Sequence, residues 1–361
     1  MKIVHVVGAR PNFMKIAPVW KAISTLTDWI QTLVHTGQHY DDNMSTIFFN
    51  ELGLPKPHVN LEVGGGTHAY QTGQVMILFE ALMLKDRPDW VLVYGDVNST
   101  AAASMVCAKL GIKVAHVEAG LRSFDREMPE EINRLVTDQL ADLLLTPSLD
   151  GNYNLIREGI HPDKIHFVGN VMIDTLIQLK PLSDQQWVTL SKDLNIEKKC
   201  FILVTLHRPS NVDDAAQLTL LLASLEELSS NIKIIFPLHP RTRNRLVSQG
   251  YDFKRSSLHF IEPLGYLAFL ALQAHAKVVV TDSGGVQEET TYLGVPCLTM
   301  RENTERPVTV TVGTNKLIGR DVHLMLQECQ LVLNGTYKKG QIPLYWDGKV
   351  GARIVQALQL S

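Results

Sequence analysis

Charged and imidazole side chains follow one predicted strand after another along this chain. They are Arg10, Lys15, Asp96, Glu118, His207, His239 and Asp282. In open α/β sheets, ligands bind beyond the carboxyl ends of the strands. Acids, bases and cations that recur at equivalent strand ends are therefore hard to assign to folding alone, and they indicate a site for anion binding and proton transfer.

The segment 281–289 (TDSGGVQEE) has the features of a nucleotide site. A strand is predicted to end there and a helix to start near Ser283. Gly284 and Gly285 allow a ligand to approach the backbone, and the first N–H groups of a helix can hold a diphosphate. Glu289, further along this helix, could accept both hydroxyls of a ribose. The alternative is a simple helix cap with acidic residues favouring the dipole, but two adjacent glycines are a poor choice for capping alone.

The segment 116–134 (HVEAGLRSFDREMPEEINR) is the most informative. Glu118 closes a predicted strand, and Pro129 sets the start of a helix, which places Glu130 in its first turn. Glu130 and Arg134 lie four residues apart on one helix face. An exposed ion pair between them would explain this spacing without function, and such pairs contribute only a few tenths of a kcal/mol.

Asp96 and the first turn are weaker signals. Taken alone, Asp96 is explained equally well as a turn residue, and only together with the two glutamates does it favour a catalytic role. The turn at 8–15 (GARPNFMK) carries one glycine and is not the GxGxxG fingerprint, so a nicotinamide cofactor is not expected. Arg10 and Lys15 suit a phosphate or a leaving group; the alternative is a strand–turn–helix with solvated cations.

Two histidines follow strands in the second half of the chain. A single histidine is more often a satisfied polar residue than a ligand. His207 and His239, followed by Arg208 and Arg241, resemble a wall that binds a polyanion. No third histidine or cysteine stands at ligand spacing, so no metal site is predicted.

Short apolar runs, alternating with amphipathic stretches, must position these residues. Runs of this kind predict strands buried on both faces of parallel sheets. The predicted strands are 3–7, 32–36, 91–96, 113–118, 142–147, 201–207, 232–239, 258–263, 277–282 and 295–300. They fall into two series, with a polar candidate linker at 181–199. We therefore expect two doubly wound, Rossmann-like domains facing each other across a cleft.

The expected domain boundaries follow from the two series. The N-terminal domain is predicted over 1–170 and the C-terminal domain, which would bind the nucleotide, over 171–361. The final helix-like segment, 349–360, could pack back on the N-terminal domain. A chain of 361 residues is also too long for one ordinary hydrophobic core.

Composition narrows the class of protein. A formal charge of −3 argues against nucleic-acid binding. Four cysteines lie far apart without a CxxC pair, which fits a reducing cytosol better than a disulfide framework. The longest apolar stretch, 264–280, is interrupted by polar residues, so no membrane span is predicted. We expect a soluble cytoplasmic protein.

Several motifs together resemble one enzyme family. They are GARPNFMKIAPV, TGQHYD, YGDVNST, HVEAGLRSFDREMPEEINR, GNVMIDT, VTLHRP, PLHPRT and TDSGGVQEET in order over 8–291, followed by TERP at 304–307. Along almost the whole chain they resemble the non-hydrolysing UDP-N-acetylglucosamine 2-epimerases. This family has two Rossmann-like domains, is related to the GT-B glycosyltransferases and is usually dimeric.

The resemblance implies roles for particular residues. Asp96, Glu118 and Glu130 would be the acid and base carboxylates, and no cofactor is implied. Arg10, Lys15, Arg134 and His207 would lie close to the diphosphate and the reacting sugar. Ser283, Gly284, Gly285 and Glu289 match the UDP-binding segment, and Arg306 of TERP would also reach the nucleotide.

Some positions depart from the best-known members. Tyr40 and Asp41 replace the more usual arginine and its polar neighbour, Pro209 stands where a second arginine is common, and Val308 replaces a glutamate. The first three lie in regions that help some bacterial members to bind a second UDP-N-acetylglucosamine as activator, so activation is in doubt here.

Other readings of the function stay open. HTGQHYDDNMSTIFF and GGGTH are also typical of epimerases that act on UDP-2,3-diacetamido uronic acids. A GT-B glycosyltransferase would use the same UDP site but would need an acceptor surface. A hydrolysing epimerase and a non-catalytic sugar-nucleotide sensor complete the alternatives.

Overall fold

The chain forms two compact units. A computed structural model describes residues 1–37, 49 and 51–361, without the side chain of Arg10. One unit comprises Met1–Gln178 together with Leu344–Ser361, and the other Leu179–Pro343. Among the described residues, no helix is both long enough and apolar enough to cross a membrane.

A parallel sheet runs through the first unit. Its strands are β1 (Lys2–Val7), β2 (Ile30–His35), β3 (Val59–Asn60), β4 (Trp90–Tyr94), β5 (Lys113–Val117), β6 (Leu143–Thr146) and β7 (Ile165–Phe167). The described strands lie in the order β3-β2-β1-β4-β5-β6-β7. The order reverses between β1 and β4, which is where doubly wound sheets open a crevice for ligands.

Helices follow most of these strands, as expected for parallel crossovers. They are α1 (Arg10–Ile23), α2 (His68–Lys85), α3 (Asn98–Leu110), α4 (Pro129–Leu140), α5 (Leu149–Arg157) and α6 (Val171–Asp193). Every residue of β4 is buried, because helices cover both faces of a central parallel strand.

The second unit repeats the plan. Its strands are β8 (Phe201–Thr205), β9 (Lys233–Pro237), β10 (His259–Ile261), β11 (Val278–Thr281), β12 (Cys297–Thr299) and β13 (Asn315–Leu317). They are parallel in the order β10-β9-β8-β11-β12-β13, which is the dinucleotide-fold order, and the reversal lies between β8 and β11.

The helices of the second unit range from single turns of four residues to a crossover helix of 15 residues. They are α7 (Pro209–Val212), α8 (Ala215–Ser229), α9 (Pro240–Ser248), α10 (Tyr266–His275), α11 (Gly284–Leu293), α12 (Val308–Thr311) and α13 (Val322–Leu333). All ten predicted strands are present, and three further strands, β3, β7 and β13, were not predicted.

Most of the candidate linker at 181–199 is helical. Residues 181–193 form the second half of α6, and the division between the compact units falls inside this helix, after Gln178. Trp187 of this helix packs into the apolar core of the second unit, so the polar residues that suggested a linker belong to its outer face.

The last helix, α14 (Val350–Leu360), packs on α1 of the first unit. Gly351 permits this approach, since a Cβ there would lie 2.5 Å from the carbonyl oxygen of Pro18. Asp174 accepts hydrogen bonds from the amides of Val350 (2.8 Å) and Gly351 (3.1 Å) and so caps the helix. The end of the chain thus contributes to the N-terminal fold.

Candidate active site

Lys15 and Glu118 form a buried ion pair at the switch point of the first sheet. The ammonium nitrogen of Lys15 lies 2.6 Å from Glu118 Oε2, and the two side chains are 7% and 2% exposed. Lys15 is on α1, after β1, and Glu118 directly follows β5. A Cβ at Gly95 would lie 2.4 Å from the same nitrogen, so this glycine makes room for the lysine next to Asp96.

Asp96, the residue after Gly95, forms a second ion pair, with Arg134. The guanidinium of Arg134, buried in α4, donates to Asp96 through Nη1 and to Glu131 Oε2 through Nη2 at 2.7 Å. The backbone carbonyl of Asp96 also accepts a hydrogen bond of 2.9 Å from Asn133. The structure therefore brings together four residues that the sequence singled out: Lys15, Asp96, Glu118 and Arg134.

Glu130 differs from these four. Its side chain is exposed, and it makes no hydrogen bond or ion pair with another residue that the structure describes. The suggested surface pair with Arg134 is wrong: Arg134 turns inward and takes Glu131, three residues before it, instead of Glu130. Helical spacing allows both partners, and burial of the guanidinium selects Glu131.

His116 and Asp138 were not predicted, yet they lie directly beneath this group. His116 Nδ1 is 2.6 Å from Asp138 Oδ1, and its Nε2 is 2.8 Å from the carbonyl oxygen of Gly95. Each ring nitrogen therefore has a buried polar partner. Burial raises the pKa of Asp138, but the charges of His116 and Arg122 outweigh this and lower it. The sequence offered one signal for this pair, because His116 is a polar residue inside the apolar run 113–117.

Backbone strain concentrates in the same segment. Glu118 has φ +75° and Phe124 has φ +59°, a left-handed conformation that side chains other than glycine adopt at a cost. Such residues cluster at functional sites because the surrounding structure must hold them there. The two lie within the segment 116–134, which also supplies two of the candidate carboxylates.

In the second unit, Asp282 organises the end of β8. This buried carboxylate accepts hydrogen bonds from the amides of His207 (3.0 Å) and Arg208 (2.9 Å) and from the side chain of Asn211 (3.0 Å). It also lies 3.0 Å from His207 Nδ1. Burial raises the pKa of Asp282, but these hydrogen bonds and the His207 charge outweigh it and lower the pKa below its usual value. His207 is thereby held with Nε2 pointing away from Asp282.

His239 lies beside His207, with 5.4 Å between the ring centroids. Its Nδ1 accepts the amide of Arg241 at 3.2 Å and caps α9. Burial lowers the pKa of His239, and the charges of His207 and Arg241 lower it further. The two predicted histidines are therefore neighbours within one unit.

The start of α11 is open. Ser283 stands at the N-cap without a side-chain capping bond, so simple capping does not explain it. A Cβ at Gly284 would lie 2.8 Å from Glu305 and 2.9 Å from Arg306, which accounts for that glycine by packing. A Cβ at Gly285 would meet nothing within 4 Å. The second glycine thus leaves free space at the N-terminus of a helix.

Glu289 and Arg306 are both buried and both have partners within the protein. Glu289 is buried and accepts a hydrogen bond of 2.8 Å from the hydroxyl of Tyr266. Burial raises the pKa of Glu289 to about 7, although bonds from Tyr266 and Gln273 oppose the shift. Arg306 lies 2.8 Å from Glu288 and also contacts Glu305.

Three positions named from the sequence lie wholly or partly outside this description. The side chain of Arg10 is outside the described atoms, although its backbone begins α1. Tyr40 and Asp41 are outside the described residues. Pro209 is the first residue of α7, directly after Arg208. Among the described residues, no cluster of histidine, cysteine, aspartate or glutamate is arranged to hold a metal ion.

The fold and these residues define an α/β enzyme that handles a nucleotide-linked substrate. Each unit has the strand order of a dinucleotide-binding fold, with its candidate residues at the switch point. A sequence profile of the UDP-N-acetylglucosamine 2-epimerases matches residues 21–359. The chain belongs to the UDP-N-acetylglucosamine 2-epimerase family and is an isomerase.

Individual relatives agree with this assignment. The UDP-N-acetylglucosamine 2-epimerase of Methanocaldococcus jannaschii is 44% identical over 365 residues, 99% of each chain. The UDP-2,3-diacetamido-2,3-dideoxy-D-glucuronate 2-epimerase of Pseudomonas aeruginosa is 42% identical over 362 residues, again 99% of each. The crystal structure of the M. jannaschii enzyme in complex with UDP-GlcNAc and UDP matches with a TM-score of 0.89, 42% identity and complete coverage of both chains. The predicted fold class of two parallel-sheet α/β domains is confirmed.

Proposed function

We propose that this enzyme inverts C2 of a UDP-linked 2-acetamido sugar, converting UDP-GlcNAc to UDP-ManNAc. The observation that carries this assignment is the cluster of Lys15, Glu118, Asp96 and Arg134 at one switch point. Two carboxylates paired with two cations provide proton acceptors and charge stabilisation in the same place. The named relatives act on this substrate class.

The chemistry explains why several carboxylates are needed. The hydrogen on C2 is not adjacent to a carbonyl group, so its direct removal is very unfavourable. When UDP leaves C1, positive character develops at C1 and acidifies that hydrogen, and a carboxylate then takes the proton. The products are 2-acetamidoglucal and UDP. Protonation of C2 from the opposite face and return of UDP to C1 give the epimer.

We assign proton transfer to Asp96, Glu118 and Glu130. Inversion needs groups that act on two opposite faces of C2, and three carboxylates satisfy that requirement without a redox step. Glu130 is exposed, which leaves its carboxylate accessible to a substrate. Lys15 and Arg134 would balance the charge of the departing diphosphate, with Arg10 beside them.

We assign nucleotide binding to the second unit. The free N–H groups at the start of α11, with Ser283, Gly284 and Gly285, suit the diphosphate, and the open space at Gly285 supports this role. Glu289 would accept hydrogen bonds from the ribose hydroxyls, and Arg306 would lie near the nucleotide. His207, oriented by Asp282, and His239 would contact the diphosphate and the leaving oxygen.

One experiment tests the assignment. The purified enzyme is incubated with UDP-GlcNAc in D2O and followed by NMR. We expect UDP-ManNAc with deuterium at C2, because the proton removed exchanges with solvent before re-addition. Free ManNAc and UDP would identify a hydrolysing enzyme instead. An unchanged substrate would contradict the proposal and favour a glycosyltransferase or a sensor.

A second substrate has specific support. The P. aeruginosa relative, which is 42% identical over 99% of the chain, is named for a UDP-2,3-diacetamido uronate. This sugar carries a carboxylate at C6 and a second acetamido group, so recognition requires an additional cation. Comparison of kcat/KM for the two UDP sugars decides between them, and we expect UDP-GlcNAc to be preferred.

We also propose that the enzyme is a homodimer. Helix α2 packs on its own unit through Val75, Phe79 and Met83, yet it exposes Ile77 and Leu84, at 62% and 69%. Exposed apolar side chains along one helix are typical of a subunit interface. Light scattering should show twice the chain mass, and Ile77→Asp should give monomers. Leu220→Asp, on the exposed face of α8, is the matched control and should remain dimeric.

The cytoplasm is the proposed location. All four cysteines are free in the structure, and Cys107, Cys297 and Cys329 are buried. Unpaired cysteines fit a reducing compartment. Cell fractionation with a tagged chain checks this assignment.

A further inference from the structure

Two adjacent glutamates at the start of α4 have different surroundings. Glu130 is exposed, whereas Glu131 is only 1% exposed. We propose that Glu131 is a positioning residue, which holds Arg134 and the loop before α4 in place and thereby sets the geometry of Asp96. The catalytic consequence rests on the proposed function, and the structural part does not.

The hydrogen bonds of Glu131 connect the loop at Ser123 and Phe124 with Arg134. Oε2 accepts from the amide and the hydroxyl of Ser123, at 2.9 and 3.0 Å, and Oε1 accepts the amide of Phe124 at 2.9 Å. Oε2 also accepts from Arg134, at 2.7 Å from Nη2 and 3.1 Å from Nε. One carboxylate thus joins the loop to the arginine.

These bonds require an ionised carboxylate. Burial raises the pKa of Glu131, but the hydrogen bonds from Ser123 and Arg134 and the charge of Arg134 lower it below its usual value. A carboxylate with this many donors is committed to them and is a poor proton acceptor for a substrate. This separates Glu131 from Glu130, although the two have the same side chain.

The loop needs such an anchor. Phe124 has φ +59°, and its side chain is 74% exposed, so burial does not hold it in this conformation. The bond from its amide to Glu131 and the two bonds from Ser123 supply the restraint. Without them the strained conformation loses the contacts that stabilise it.

Arg134 also depends on Glu131. Its guanidinium is almost completely buried, and it donates to Asp96 through Nη1 and to Glu131 through Nη2 and Nε. A planar guanidinium with two carboxylate partners has a fixed orientation. With Glu131 neutral, Asp96 becomes its remaining carboxylate partner, and both side chains can shift.

Glu131→Gln tests the proposal because it keeps the size of the side chain and removes its charge. We expect kcat for C2 exchange to fall about 10- to 100-fold, the effect of misplaced catalytic groups. In an Arg134→Met background, Glu131→Gln should have little further effect, because both changes disrupt one unit. Multiplying effects, or a wild-type kcat in Glu131→Gln, would overturn the proposal.

A second measurement does not depend on activity. Arg126 is exposed in the same loop, so trypsin cleavage after it, followed by mass spectrometry, reports how firmly the loop is held. Glu131→Gln should be cut there several-fold faster than wild type. Glu328→Gln is the matched control: it removes the charge of another buried carboxylate, the partner of Lys316, and should leave cleavage after Arg126 unchanged.

The two measurements separate the possible failures. If the wild type shows no C2 exchange, the proposed function fails, and the rate of cleavage still decides whether Glu131 holds the loop. If the wild type exchanges deuterium but Glu131→Gln matches it in kcat, the positioning role fails alone. Equal cleavage of Glu131→Gln and wild type would overturn the structural part.

Discussion

The two candidate sites hold charge in different ways. In the first unit, Lys15 is paired with Glu118, and Arg134 is paired with both Asp96 and Glu131. In the second unit, the start of α11 is open, and Gly285 has free space beside it. These ion pairs fix Asp96 and Glu118 before the substrate arrives, whereas free N–H groups at a helix start await an anion.

The difference matches the proposed division of work. Groups that move a proton at one carbon must be held to within a fraction of an ångström. A diphosphate is larger and carries spread charge, so backbone dipoles and a histidine oriented by Asp282 are sufficient to bind it. We therefore expect substitutions in the first site to change turnover and those in the second to change nucleotide affinity.

The largest effect should come from the two carboxylates Glu118 and Glu130. Glu118→Gln and Glu130→Gln should each lower kcat by about 10²–10⁴-fold, the usual loss of a positioned acid or base. Their effects on stability should differ. Glu118→Gln leaves the buried Lys15 without its carboxylate partner and should cost about 3 kcal/mol in free energy of unfolding.

Glu130→Gln should change the free energy of unfolding by less than about 0.5 kcal/mol, because Glu130 is exposed. Turnover assays and denaturant unfolding on both variants check this pair of expectations. Equal stability of the two variants would show that the Lys15–Glu118 pair is not a structural unit. Wild-type turnover in either variant would exclude that residue from proton transfer.

Gly285→Ala should weaken nucleotide binding without harming the fold. A methyl group there meets no described neighbour within 4 Å, so it occupies space proposed for the diphosphate. We expect the Kd for UDP to rise about tenfold, which corresponds to about 1.4 kcal/mol. Calorimetric titration with UDP measures the change.

Gly73→Ala, in α2, is the matched control because its Cβ also meets nothing within 4 Å. It should leave the Kd for UDP unchanged. If Gly285→Ala binds UDP as wild type does, the start of α11 is not the diphosphate site.

A smaller effect concerns pH. The pKa of Glu289 is raised to about 7, so this carboxylate is protonated below that pH and accepts ribose hydroxyls less well. Affinity for UDP should therefore fall as pH drops through about 7. The bond from Tyr266 lowers this pKa, so Tyr266→Phe should move the midpoint to higher pH by a few tenths of a unit or more.

Calorimetric titrations of wild type and Tyr266→Phe across neutral pH check the direction of that shift. Tyr251→Phe, which loses a hydroxyl bonded to Glu226, is the control and should leave the midpoint in place. A midpoint that moves to lower pH in Tyr266→Phe would contradict the role given to Glu289.

The smallest expected effect is the absence of activation by a second UDP-GlcNAc. Tyr40 and Asp41, outside the described residues, and Pro209 offer no arginine for another diphosphate. Initial rates should follow a hyperbolic curve, and the reverse reaction from UDP-ManNAc should start without added UDP-GlcNAc. A sigmoidal curve, or a reverse reaction that waits for UDP-GlcNAc, would refute this prediction.

The sequence alone determined the architecture and most of the candidate residues. Short apolar runs that alternate with amphipathic helical stretches are typical of buried parallel strands, and the residues that follow such strands lie at one edge of a sheet. Pro129 marked the start of α4, because proline is favoured at the first position of a helix, and the SGG segment marked the start of α11. These features depend on residues that are close together in the sequence, so they can be predicted without coordinates.

Only the tertiary structure decided which side chains pair or pack with one another. Arg134 had Glu130 and Glu131 within reach along its helix, and burial against Asp96 and Ser123 selected Glu131. His116 pairs with Asp138, which lies 22 positions later in the sequence. The segment 181–193 is an amphipathic helix whose Trp187 packs into the core of the second unit. Such choices depend on which groups lose their water together, and that is set by packing between distant segments and not by spacing along the chain.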